Sequence, residues 1–538
     1  MSELLLELLS EEIPARMQAG AAEQLERLIV DRLKEAGLRP GASKAYVTPR
    51  RLTLVVDGLA PQTDDVREEK KGPRTNAPDA ALQGFLRGSG LTKEQLQTKS
   101  DGKSEFYIAL IERPGRPTVE VIAEIVPAVI AGFHWPKSMR WGSGTLRWVR
   151  PLQNVCCVFD GKPVPFAVPL GDTQLIANDL TRGHRFASAG TIRVRNFSDY
   201  EDKLRVARVV LSREERKEII SRELKSLAAI ESLEPIEDQG LLEEVAGLVE
   251  DPVVLLGSID KEFLDVPQEV LSTAMRAHQK YFSLRESSGG AFAPRFAFVA
   301  NLRASDSGKA IIAGNERVLR ARLSDARFFW DQDRKRALES RVDDLKSITF
   351  HAKLGTQLER VERIEALARV IAPLVGANAE EAAHAARLAK ADLTTGMVGE
   401  FPELQGVMGR YYALKDGEPA AVADAIRDHY KPQGPSDAVP TAPISIAVAL
   451  ADKLDMLLEF WRIDERPTGS KDPFALRRAA LGIVRILLEN NSRLALNDVF
   501  FAYHRTKNDA SHVAFSDLMR FIADRLKVYL RDRGARHD

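Results

Sequence analysis

The 538-residue chain has only two cysteines, Cys156 and Cys157, and they are neighbours. Such a pair supplies neither a disulfide framework nor a cysteine-based zinc site, so a reducing, cytoplasmic home is expected. No apolar run approaches the ~20 residues needed to cross a bilayer. The opening MSELLLELLSEEIP is interrupted by Glu7 and followed by Glu11 and Glu12, without the positive leader and cleavage region of a signal peptide. A soluble chain with no membrane anchor is expected. Neither charge is in excess, with 77 Lys plus Arg against 77 Asp plus Glu. A protein that coats a polyanion would be basic overall, so nucleic-acid contact would have to use local patches. The phosphate loop GxxxxGK[ST], the GxSxG elbow and HExxH are missing. So are internal repeats and low-complexity tracts.

The composition, 44% hydrophobic and 29% charged, excludes a wholly disordered chain. The length exceeds what one core serves, and three or four domains are expected. Leu4 to Leu9 reads as a strand, Pro14 opens a helix carried by Leu25, Leu28, Ile29 and Leu33, and Gly37 stops it. Leu52 to Val56 is a second strand. The polar stretch 61–80, with Pro61, Pro73 and Pro78, reads as a linker. From about 80 to 330, short β-rich runs alternate with helical pieces near 117–131 and 199–226, which predicts mostly antiparallel sheets. After about 335 the strand signals fade. Helical spacing marks 358–371, 379–395, 419–430, 442–461 and 473–489, the last with Asp472 as cap and Pro473 in the first turn. A further helical piece runs to Asp538.

Three constellations could carry chemistry. HWPKSMRWGSGTLRWVR at 134–150 combines Lys137, Arg140, Arg147 and Arg150 with Trp135, Trp141 and Trp148, and has no acid. Cations neutralise phosphates and planar rings stack on unpaired bases. The same residues equally fit a buried tryptophan cluster with a basic rim. NERVLRARLSDARFFWDQDRKR at 315–336 places Arg317, Arg320 and Arg327 on a helix, where Arg320 and Arg327 share a face. The alternative is a solvated helix neutralised by Asp325, Asp331 and Asp333. Finally, His351, Asp392, His429 and Asp452 are metal-ligand types on successive helices, as in a metal-dependent phosphohydrolase of the HD type. That type needs a histidine just before its central aspartate, where this chain has Ala391. His384, eight residues away, lies roughly 12 Å off along a helix axis and is a poor substitute. The reading is a helical scaffold that has lost its metal site. Cys156–Cys157 sits in an apolar strand and reads as core. His278 could contact a phosphate or serve the structure.

Read together, several segments resemble the β subunit of the bacterial heterotetrameric glycyl-tRNA synthetase. They run from LLLELLSEEIPARM at 4–17 and VTPRRLTLVVDGL at 47–59 through WPKSMRWG, TRGHRF at 181–186 and MRAHQKYFSL. They continue with NERVLRARLSDARFFW, FHAKLGTQLERVERI, KADLTTGMVGEFPELQGVMGRYYA, ALADKLD and PTGSKDPFALRRAALGI, in that order.

The resemblance implies an α+β multidomain chain. Residues 1–60 would form an N-terminal α/β segment, and 61–335 a β-rich region like the B3/B4 part of phenylalanyl-tRNA synthetase. Residues 336–490 would form an all-α, degenerate HD-like domain, and 491–538 the start of a helical anticodon-binding domain cut short. It further implies a non-catalytic subunit that binds tRNA(Gly), with the glycine and ATP site, and its Mg²⁺, on a separate α subunit. No cofactor, DNA or membrane is expected on this chain. The candidate RNA-contact residues are Lys137, Arg140, Trp141, Arg147, Arg150, Arg182, His184, Arg317, Arg320 and Arg327. A pure assembly factor without RNA binding is the other alternative.

Overall fold

The computed structural model describes residues 2–100, 102, 104–507 and 515–534. The chain divides into two compact units, one of residues 1–258 and 280–315, the other of 259–279 and 316–538.

The first unit begins with strands β1 (Ser2–Ser10), β2 (Ser43–Val47), β3 (Arg51–Leu59), β4 (Val66–Arg74), β5 (Gln97–Ser100), β6 (Glu105–Arg113), β7 (Leu152–Phe159) and β8 (Lys162–Pro163). Helices α1 (Ala15–Glu35), α2 (Asp79–Ser89) and α3 (Thr118–Gly132) lie between them. A five-stranded antiparallel sheet takes the order β2-β3-β1-β7-β8. β1 is central and buried on both faces, which is why it reads as a continuous apolar run. Leu4, Leu6 and Leu8 enter one core with Leu25, Ile29 and Leu33 of α1. Leu5 enters another with Cys156, Val158, Tyr200 and Leu204. Both cysteines are buried in β7, as their apolar setting predicts. Pro14 precedes α1 and Gly37, at φ +89°, ends the turn after it, as read from the sequence.

Two readings need correction. The stretch 61–80 is not a linker: β4 pairs with β6 in a three-stranded sheet of order β4-β6-β5. Its VREEKKGPR is charged because β4 lies at a sheet edge, so it carries no hydrophobic alternation to read. A Cβ at Gly72 would meet the Phe85 ring at 2.5 Å, which explains the glycine. The helical piece near 199–226 is two helices, Phe197–Val206 and Arg213–Ile230, each with its own cap. Asn196 accepts from the Asp199 amide and Ser212 from that of Glu215. A four-stranded sheet, ordered Leu233–Pro235, Phe282–Glu286, Phe292–Ala300 and Val253–Ser258, completes this unit. The strand pairs among the described residues are antiparallel, and one isolated bridge, Cys156 with Asn178, is parallel, in line with the mostly antiparallel sheets expected.

Among its described residues the second unit is helical apart from a small hairpin of Thr349–His351 with Gly355–Thr356. Its centre is the helix Pro443–Arg462, buried almost all round from Ile444 to Trp461. Gln357–Ile371, Ala379–Leu388, Ala420–Asp428 and Leu476–Glu489 surround it. Asp472 does cap, accepting from the Leu476 and Arg477 amides at 2.9 Å, but the last of these helices starts at Leu476. Ala475, at φ +56°, makes the turn that delays it. Helices Leu496–Lys507 and Phe515–Asp532 follow. Among the described residues no helix is long and apolar enough to cross a membrane.

Candidate nucleic-acid interface

The segment 134–150 folds back on itself through a bridge between Met139 and Trp148. Trp135 and Trp148 are buried with Phe133, ring centroids 5.0–5.1 Å apart. They are core residues and cannot stack on bases, because apolar burial claims them first. Trp141 is half-buried against the same core. Lys137, Arg140 and Arg147 are exposed. Arg147 donates to Ser138 Oγ at 3.2 Å, and the half-buried Arg150 donates to the Val149 carbonyl at 2.7 Å. The loop is therefore a cationic rim on an aromatic base.

Below it in sequence, TRGHRF forms a turn over β3. Arg51 is fully buried and bonds Glu7 at 3.1 Å, Glu250 at 3.0 Å and the Arg182 carbonyl at 3.0 Å. Thr48 and Tyr200 complete the carboxylates at 2.6 Å each. Burial opposes the Arg51 charge, but Glu250 and Glu7 outweigh it and hold the guanidinium above its ordinary pKa. Burial likewise opposes Glu250, but the Arg51 charge and the Thr48 hydroxyl keep it below the carboxylate range. Arg182 is exposed. His184 is buried, and its Nδ1 accepts from the amides of Phe186 and Ala187 at 3.3 Å, so it shapes the loop.

On the helix Lys309–Asp333, Arg320 pairs with Asp260 at 2.6 Å and Arg327 with Glu262 at 3.0 Å. Arg317 is exposed. The acids that neutralise this helix come mainly from the segment before Gln268, not from Asp325, Asp331 and Asp333. Asp331 adds a longer contact to Arg327, at 3.8 Å. Asp333 is buried and accepts from the Gly396 and Met397 amides and the Tyr412 hydroxyl at 2.9–3.0 Å. His278 is exposed with its ring against Phe401, centroids 6.0 Å apart.

The HD-like positions are held by other partners. Asp452 accepts from Arg360 at 2.9 Å and lies 3.0 Å from the buried Lys390 ammonium. Burial opposes its charge, but Lys390 and Arg360 hold its pKa well below the carboxylate range. Burial, only partly offset by Asp452, brings Lys390 down to about 7. Asp392 accepts from the Gly409 amide at 2.9 Å and from that of Gly406, and burial raises it to about 6. His429 is buried with Nδ1 2.6 Å from the Ile426 carbonyl, and burial, aided by Lys390, keeps it neutral. His351 packs on Phe460 and Phe474 at 5.3 Å, and His384 pairs with Glu418 at 2.9 Å. Among the described residues no three His, Cys, Asp or Glu side chains are grouped to hold a metal ion. The cations beside Asp452 are Arg360 and Lys390 of this chain, and no sequence signal singled them out.

A family model described as glycyl-tRNA synthetase beta subunit matches residues 4–538. The chain belongs to the glycyl-tRNA synthetase beta subunit family. It is thus a chain of an aminoacyl-tRNA synthetase, a ligase that serves glycyl-tRNA formation. It is similar to the glycine–tRNA ligase beta subunit of Paracoccus denitrificans (strain Pd 1222), 55% identical over all of this chain and 78% of the relative. The beta subunit of Phenylobacterium zucineum (strain HLK1) is also 55% identical, over the same shares. That of Dinoroseobacter shibae (strain DSM 16493 / NCIMB 14021 / DFL 12) is 51% identical, over 100% of this chain and 79% of the relative. Neither the phosphohydrolase reading nor the RNA-free assembly factor gains support from these beta-subunit relatives.

Proposed function

We propose that this chain is the tRNA-binding, non-catalytic subunit of a glycine–tRNA ligase and works with a separate α subunit that holds glycine, ATP and Mg²⁺. The observation that carries the reading is the family match from residue 4 to residue 538. Binding the tRNA beside the partner's active site raises the effective concentration of the acceptor end and orients it. This chain then needs no cofactor of its own, and the complex works in the cytoplasm without DNA or membrane.

In this reading residues 1–60 are an α/β segment, 61–335 a B3/B4-like region, 336–490 an HD-like domain and 491–538 belong to a helical anticodon-binding domain. The exposed cations Lys137, Arg140 and Arg147 are the first phosphate contacts, supported by their exposure and by an opening sequence run free of acids. Trp141 and Arg150 of the same segment and the exposed Arg182 are further candidate contacts, and the buried His184 supports the loop that carries Arg182. On the helix Lys309–Asp333, Arg317 is an exposed candidate contact, whereas Arg320 and Arg327 must exchange their acidic partners to reach RNA.

Glycine charging of tRNA by purified α subunit, with and without this chain, tests the reading. Charging that needs both chains is expected. A tRNA gel shift by the chain alone, at physiological salt, is expected to be positive. Charging by the α subunit alone at the full rate, with no shift, would overturn the proposal.

A further inference from the structure

A pocket of about 500 Å³ opens in the first unit beside the turn over β3. Three arginines line it, Arg50, Arg182 and Arg185, against one carboxylate, Glu11. Glu11 is engaged with Arg185 at 3.2 Å, and Arg185 also bonds Glu12 at 2.5 Å. Arg51 spends its charge in the core on Glu7 and Glu250, while its neighbour Arg50 faces the pocket, because successive side chains point opposite ways as the strand begins.

Arg50 is the telling residue. It is only 7% exposed, yet its Nε meets no acceptor among the described residues and its Nη2 reaches Gln153 at 3.5 Å. A nearly buried guanidinium without close acceptors is costly unless an anion completes it. Burial holds its pKa below the ordinary value even with Glu250 nearby, and Arg51 and Arg185 add to the depression.

The same loop carries Phe186, 75% exposed, its ring 6.3 Å from that of His184 and 5.9 Å from the Arg185 guanidinium. An exposed ring is unfavourable in water and is the usual platform for a base. Its position is fixed, since His184 ties down the amides of Phe186 and Ala187.

We propose that this pocket takes one nucleotide unit of single-stranded RNA, its phosphate between Arg50 and Arg182 and its base on Phe186. The assignment rests on the subunit reading above and gives it a single-stranded contact. Duplex RNA presents phosphates without splayed bases, so it uses the arginines and not Phe186.

The test is fluorescence anisotropy of the full chain with a short labelled single-stranded RNA, a blunt RNA duplex and a free nucleoside monophosphate. Phe186→Ala is expected to weaken single-strand binding about tenfold and leave duplex binding unchanged. Arg182→Ala is expected to weaken both. Both residues are exposed, so thermal melting should stay as in the parent chain, and Arg182→Lys should restore part of the loss. Single-strand affinity unchanged in Phe186→Ala would overturn the proposal, as would a free monophosphate that binds as tightly as RNA. Charging with the α subunit, run alongside, separates the two readings. Charging restored by a chain whose Phe186→Ala form binds RNA normally would sink the pocket and leave the subunit role standing.

Discussion

Lys390 Nζ lies 3.0 Å from the Asp452 carboxylate, and both side chains are almost wholly inside the helical unit. Lys390 also sits over the Tyr430 ring, 3.8 Å from its centroid. The pair sits within what the sequence presents as a degraded metal constellation. The Lys390 ammonium shares Asp452 with the Arg360 guanidinium, and its proton makes part of that positive charge dependent on pH.

The sign of that dependence follows from burial. Lys390 is held at about 7 when folded, below its unfolded value of about 10.4. Between these values the unfolded chain binds a proton that the folded chain does not, so stability from this group rises with pH over about 7 to 10. Lys453, held at about 8 chiefly by burial, acts in the same direction. Urea unfolding at a series of pH values should show this rise, and Lys390→Met should flatten it. An equally steep rise in the variant would remove Lys390 as the cause.

Asp452→Ala should be severe. It leaves Lys390 and Arg360 facing each other in the interior, and breaking a buried pair this way costs about 3–5 kcal/mol. Arg320→Ala breaks an exposed, solvent-screened pair with Asp260 and should cost far less. Denaturant midpoints of the two variants check the contrast, and equal midpoints would contradict it.

In the first unit, Arg51→Met removes the cation shared by Glu7 and Glu250. Two buried carboxylates are then left facing each other, and a loss of about 3–5 kcal/mol is expected. Adding Glu250→Gln should recover part of it, which a calorimetric melt of single and double variants would reveal. A double variant no better than the single would show that the carboxylates are not the problem.

The basic rim should announce itself through salt. Lys137, Arg140 and Arg147 replaced together by alanine should reduce the log–log salt slope of tRNA binding by about 2 to 3 if each neutralises one phosphate. Melting should not change, since all three side chains are exposed. An unchanged slope would take this loop out of the interface.

The sequence by itself determined the elements whose burial follows a simple period. β1 reads as apolar because both its faces are covered, and α1 is legible through Leu25, Ile29 and Leu33 between Pro14 and Gly37. Family membership was legible too, because many long segments agree in order and no single contact has to be known. Tertiary structure alone decided the partners of charge. It put Trp135 and Trp148 in the core and left the cations around them outside. It paired Arg320 with Asp260, sixty residues away, and Lys390 with Asp452. It turned Arg51 inward and Arg50 toward a pocket lined by Arg182 and Arg185. Helical and strand periods record which face is buried, whereas an ion pair depends on which distant residue the fold brings within about 4 Å, and local spacing carries no trace of that.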